Sequence, residues 1–93
     1  MQKSLFTKDY GLLIELLRGA REDLGISQVE LAKRLKVTQS FVSKCERGGR
    51  RLDIVEVRMW CLALKLSFPA FAARFDAAVS RGAAGERGYR KGR

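Results

Sequence analysis

The sequence predicts an all-α fold, and three observations predict it. Apolar residues recur at helical spacing in five separate stretches. A Ser, Thr or Asp stands at the head of each stretch, where a helix needs a cap. β-branched runs and "NG" or "DG" turns are absent, and the 93 residues include a single Pro. The chain has room for one small domain with a modest core, and its 46% apolar content is too high for disorder throughout.

The first helix begins near Thr7 and carries Tyr10, Leu13, Ile14, Leu17 and Ala20 with Arg21 on one face. It ends at Leu24, with Gly25 as the left-handed residue that closes it. The second opens on Ser27 with Glu30 three residues on, a capping box ahead of Leu31, Ala32 and Leu35. A turn, "LKVT", follows. The third starts at Thr38 and runs to about Arg47, stopped by Gly48 and Gly49. The fourth opens on a second capping box, Asp53 with Glu56, and runs to about Leu66 with Val57, Trp60, Cys61 and Leu64 inward. The fifth opens at Ser67, tolerates Pro69 in its first turn and presents Phe68, Phe71, Ala72, Phe75 and Val79 on one face. After Ser80 the segment "RGAAGERGYRKGR" has four Gly and no apolar period. Residues 1–80 therefore form the domain, and 81–93 a basic, flexible tail.

Several function classes drop out. There is no His, and Cys45 and Cys61 are the only cysteines. Both fall in apolar helical patterns, so they read as small buried hydrophobes, and no metal site can be assembled. Paired carboxylates in a pocket and a Gly-rich phosphate loop after a strand are also missing, so neither an enzyme nor a cofactor is expected. No stretch is long enough to span a membrane and no signal peptide is visible, which places the chain in the cytoplasm with reduced thiols.

Charge points to a partner. Nineteen Lys+Arg against ten Asp+Glu give +9 and a pI near 10.3. The tail holds five basic residues against Glu86, and Ser27–Arg51 holds seven against Glu30 and Glu46. The remaining stretches balance. The whole surplus outside the tail thus sits in one segment, as expected for binding a polyanion such as nucleic acid.

That segment is two short helices joined by a tight turn, a pair used to present its second helix to the major groove of DNA. On the third helix Val42 and Cys45 point inward. Gln39, Ser40, Ser43, Lys44 and Arg47 share the opposite face, which holds no acid. Gln can pair with adenine N6/N7, Lys with guanine O6/N7, and Ser with either base. Phe41 is open between packing inward and touching a thymine methyl. Phosphate contacts would come from Ser27, Gln28 and the free N–H groups of the second helix, and from Arg47, Arg50 and Arg51 beyond the third.

The stretch "LRGAREDLGISQVELAKRLKVTQSFVSKCERGGRRLDIVE" resembles the phage-repressor-type helix-turn-helix family, also called the xenobiotic-response-element or XRE family. The resemblance covers roughly residues 10–67. It implies a compact five-helix, lambda-repressor-like domain whose helices 2 and 3 form the helix-turn-helix. It also implies sequence-specific binding of double-stranded DNA, and a regulator, here a repressor, acting as a homodimer on a pseudo-palindromic operator. By position it makes Gln39, Ser40 and Lys44 base readers, has Gln28 hold a phosphate and brace Gln39, and pairs Arg21 with Glu46 between helices. Two departures stand out. Lys36 occupies the turn position where the family usually has Gly, at a strain of about 1 kcal/mol if φ is positive; it is either a further phosphate contact or a solvated lysine. Met59 and Leu62 form, with Val55 and Leu66, a second apolar stripe on the fourth helix where the family is usually polar. Met59, Leu62 and Leu66, with Phe68 or Phe71, either cover a subunit interface or lie beneath helix five or Leu5–Phe6. The alternatives to a plain regulator are an antitoxin-type regulator that also holds a protein partner, and a protein-interaction module that reads no DNA.

Overall fold

The computed structural model describes residues 3–86, with side chains from residue 8 to residue 82. Among them are five α-helices and no strand: α1 Lys3–Leu24, α2 Gln28–Leu35, α3 Gln39–Glu46, α4 Ile54–Ala63 and α5 Phe68–Glu86. The all-α class expected from the sequence is the one observed. Helix α2 packs on α3 and α4, α1 on α3 and α5, and α4 on α5. The two short helices cannot bury much alone, so the three others supply the platform that holds them.

The core takes Ile14 and Leu17 from α1, Leu31 and Ala32 from α2, Val42 and Cys45 from α3, Val57, Trp60 and Cys61 from α4, and Phe71 from α5. Leu52 and Leu64 enter it from the connecting turns. Leu31, Val42 and Cys61 are wholly enclosed, and burying each large apolar side chain contributes about 1.5–3 kcal/mol. Cys45 and Cys61 are free and buried, and burial pushes both thiols above their ordinary pKa.

The first four helices end in the same turn. The residue two past the turn's start donates its N–H back five residues: Ile26 to Arg21, Val37 to Ala32, Gly49 to Lys44 and Leu66 to Cys61. The residue before each donor is left-handed, with φ of 79° at Gly25, 61° at Lys36, 80° at Gly48 and 62° at Lys65. Lys36 and Lys65 accept a strain of about 1 kcal/mol each, partly offset by a cation at a helix C-terminus.

This turn explains why α4 stops at Ala63 rather than near Leu66: Lys65 leaves the helical region, and Leu66 is the return residue. Two other boundaries differ. Helix α1 already runs from Lys3, with Thr7 inside it, because nothing between Lys3 and Tyr10 breaks a helix. Helix α5 continues past Ser80 to Glu86, since Ala83 and Ala84 favour helix despite Gly82 and Gly85. The rest of the expected tail, residues 87–93, lies outside the described residues, as do the side chains of Leu5 and Phe6. On α5, Ala72 is exposed, and Ala78 joins the half-buried Phe75 and Val79 instead.

Candidate nucleic-acid interface

Ser27 caps α2 from extended backbone, its Oγ accepting from Glu30 N at 3.1 Å. The expected reciprocal half of that box is replaced by a different pairing. The Glu30 carboxylate takes Arg34 Nε at 3.1 Å, and Arg34 Nη1 donates onward to the Ala63 carbonyl at 2.9 Å. Thr38 Oγ1 caps α3 by accepting from Phe41 N at 3.0 Å. Asp53 and Glu56 form a complete capping box on α4.

The caps and the buried Val42 and Cys45 fix which way α3 faces. Gln39, Ser40 and Lys44 are exposed, and Ser43 is half-buried, its Oγ accepting from Arg47 Nη1 at 2.6 Å. Phe41 packs inward, tilted against Trp60 with ring centroids 6.2 Å apart.

Beneath this face runs a chain of hydrogen bonds. Arg21 and Glu46 are both buried and pair through two contacts, Nε to Oε2 at 2.7 Å and Nη2 to Oε1 at 3.0 Å. Arg21 Nη1 also donates to the Ile26 carbonyl. Gln28 Nε2 donates to Glu46 Oε1 at 2.9 Å, and Gln39 Nε2 donates to Gln28 Oε1 at 2.7 Å. A carboxylate only accepts, so Gln28 must present its NH2 to it and its carbonyl to Gln39. Gln39 therefore keeps one N–H and its own carbonyl free to face outward.

Of the expected phosphate contacts, Ser27, Lys36, Arg47 and Arg51 are exposed, and Gln28 is half-buried at the α2 start. Arg51 lies over the Tyr10 ring, 4.3 Å from its centroid. Arg50 is placed differently from the phosphate contact expected of it. Its Nη1 donates to Glu56 Oε1 and to the Arg51 carbonyl, both at 2.8 Å, and its guanidinium covers Phe41 at 5.0 Å. The Arg50 hydrogen bond and the Asp53 N–H hold the Glu56 carboxyl below its ordinary range. Arg50 is thus engaged in clipping α3 to α4. Tyr10 completes the loop's attachment, its hydroxyl accepting from Leu52 N at 2.9 Å. Sequence reasoning missed these tethers: only the Glu30–Arg34 spacing is legible without coordinates.

On α4 the second stripe is not covered by helix five. Met59 is 48% exposed and Leu62 53%, and Ile54 and Val55 stand out further at 70% and 67%. Leu66 and Phe68 are half-buried. Phe71 corrects the expected interface set: at 2% exposure it belongs to the core cluster, on a helix that packs against α1 and α4. A shallow groove of about 170 Å3 beside the stripe is lined by Val37, Phe41, Met59 and Trp60 among others. Among the described residues no metal-binding cluster is present and no helix is long and apolar enough to cross a membrane.

Comparison with known proteins meets this geometry. The helix-turn-helix family model matches residues 17–71, more than half of the chain. An XRE-family like protein from Pseudomonas syringae pv. tomato is 39% identical, covering 82% of this chain and 93% of its own, with a TM-score of 0.78. The clp gene regulator ClgR from Corynebacterium glutamicum is 26% identical over 85% of this chain and 84% of its own, with a TM-score of 0.70. No curated protein sequence matches significantly. An α3 with an exposed polar face braced from below, followed by the exposed Arg47 and Arg51 and matched by these relatives, assigns the chain to the XRE-type helix-turn-helix family of DNA-binding transcriptional regulators.

Proposed function

We propose that the protein is a repressor that binds a pseudo-palindromic operator as a homodimer, in the cytoplasm on the nucleoid. Gln39, Ser40, Ser43 and Lys44 read bases in the major groove, and Ser27, Gln28, Lys36, Arg47 and Arg51 hold phosphates. The observation that carries the reading is the Glu46–Gln28–Gln39 chain. It orders an exposed amide with one donor and one acceptor outward, the pattern that pairs with adenine N6 and N7. Arg50 stays with Glu56 and serves by holding the loop. The dimer forms through the bare face of α4, with Met59, Leu62 and Leu66 at its centre and Ile54, Val55 and Phe68 around them.

Selection of bound duplexes from a random pool tests this. An inverted repeat with half-sites about 10 bp apart is the expected product. Equal recovery of all duplexes would refute base reading, and a single unrepeated site would refute the two-fold arrangement.

A further inference from the structure

A cleft of about 640 Å3 opens between the middle of α1 and the end of α3 with its following loop. Its charge is unusual within the domain. Six arginines lie between residues 18 and 51. Arg21, Arg34 and Arg50 each have a carboxylate partner, at Glu46, Glu30 and Glu56. Arg18, Arg47 and Arg51 have none among the described residues, and these three line the cleft. Arg47 is held by the Ser43 hydroxyl and Arg51 by the Tyr10 ring, so neutral partners aim both without neutralising them. Glu46 at the cleft base is already satisfied by Arg21, which leaves Glu15 as the one acid facing three arginines.

The wall of the cleft carries a second anomaly. Gly11 sits in the interior of α1, where glycine is less stable than alanine. A Cβ built there meets nothing within 4 Å, so the fold itself does not require the glycine. What it does is leave the α1 backbone bare where the cleft opens.

We propose that this cleft seats a backbone phosphate of duplex DNA just beyond the bases read by α3, making Arg18 a phosphate-binding residue supplied by α1. The inference rests on the DNA-binding reading and extends its footprint onto a helix outside the helix-turn-helix. A phosphodiester presents two anionic oxygens, which suit a guanidinium fork. Gly11 lets the strand approach the helix closely.

The test is a salt titration of affinity with the full chain, on the selected operator and on an unrelated duplex. Arg18→Gln should weaken both duplexes alike, by about tenfold for one charged hydrogen bond lost. It should also reduce the salt slope by about 0.9. Gly11→Ala should raise the melting temperature yet weaken binding severalfold. Gly19→Ala, an equally open α1 glycine outside the cleft, should raise the melting temperature and leave binding unchanged. The inference is overturned if Arg18→Gln keeps wild-type affinity and slope and Gly11→Ala binds like Gly19→Ala, while Arg51→Ala still weakens every duplex. It is equally overturned if inorganic phosphate stabilises wild type but not Arg18→Gln with DNA affinity unaltered, since the cleft then holds a free anion. Wild type showing no salt-dependent duplex binding would overturn the DNA reading as well.

Discussion

Glu46→Ala should destabilise the domain by about 3 kcal/mol, a figure that follows from what surrounds the carboxylate. Its side chain is 5% exposed and that of Arg21 11%. It accepts three hydrogen bonds, two from Arg21 and one from Gln28. Truncation leaves a buried guanidinium with the Ile26 carbonyl and a distant Glu22 carboxylate at 4.0 Å. Breaking one partner of a buried pair costs about 3–5 kcal/mol, and Glu22 offers partial relief, which selects the low end. For a domain of this size each kcal/mol lowers the melting temperature by about 4–8 °C, so a fall of roughly 12–24 °C should be seen by circular dichroism at 222 nm. Replacing both partners, as in Arg21→Met with Glu46→Leu, should recover much of that loss, because two apolar groups leave no charge unpaired. A single variant melting within about 2 °C of wild type would refute the reasoning.

Five other outcomes follow from the structure. Lys36→Gly should raise the melting temperature by a few degrees, since relief of the left-handed strain outweighs the extra chain entropy; an unchanged or lower value would sink the strain argument. Gln39→Ala should relax choice at particular base pairs by about 1–3 kcal/mol in binding assays. Arg51→Ala should weaken all duplexes alike and flatten the salt slope by about 1. Because the folded Glu56 carboxyl titrates below its unfolded value of 4.5, its contribution is complete above that pH and fades as pH falls through the lower folded value. Glu56→Gln should therefore flatten the acid limb of a stability-versus-pH curve, and a limb unchanged in shape would count against the clip. Leu62→Glu should hold the chain monomeric in sedimentation at tens of micromolar without a large loss of melting temperature, whereas a dimer surviving it would move the interface off α4.

Much of the fold is legible in the sequence because it depends on local chemistry. Ser27, Thr38 and Asp53 cap the helices they precede, and Gly25 and Gly48 take left-handed positions that favour glycine. Periodicity places Val42 and Cys45 inward and so turns Gln39 and Lys44 outward. What local chemistry misses is competition between partners. Glu30 has two suitors, its own helix start and Arg34, and the guanidinium wins. Arg50 has the composition of a phosphate contact, but the α3–α4 loop brings it to Glu56 and Phe41. Lys65 carries no residue-level mark of a helix end, so α4 reads too long. Phe71 and Met59 are equally apolar, and only packing decides that one is enclosed and the other bare.

On the proposed reading of Gln39 as a base reader, the buried carboxylate would act on sequence choice past its own contacts. Flipping the Gln39 amide would set its carbonyl against that of Gln28, and flipping both would set the Gln28 carbonyl against Glu46. The amide is thus held in one sense. Guanine offers two acceptors, N7 and O6, on the edge where adenine offers an acceptor and a donor. A locked amide meets O6 with its own oxygen and is repelled. With Gln39 in its proposed base-reading role, Glu46 would reject guanine through two intervening side chains without touching a base, and a neutral amide in its place would leave Gln39 free to turn either way.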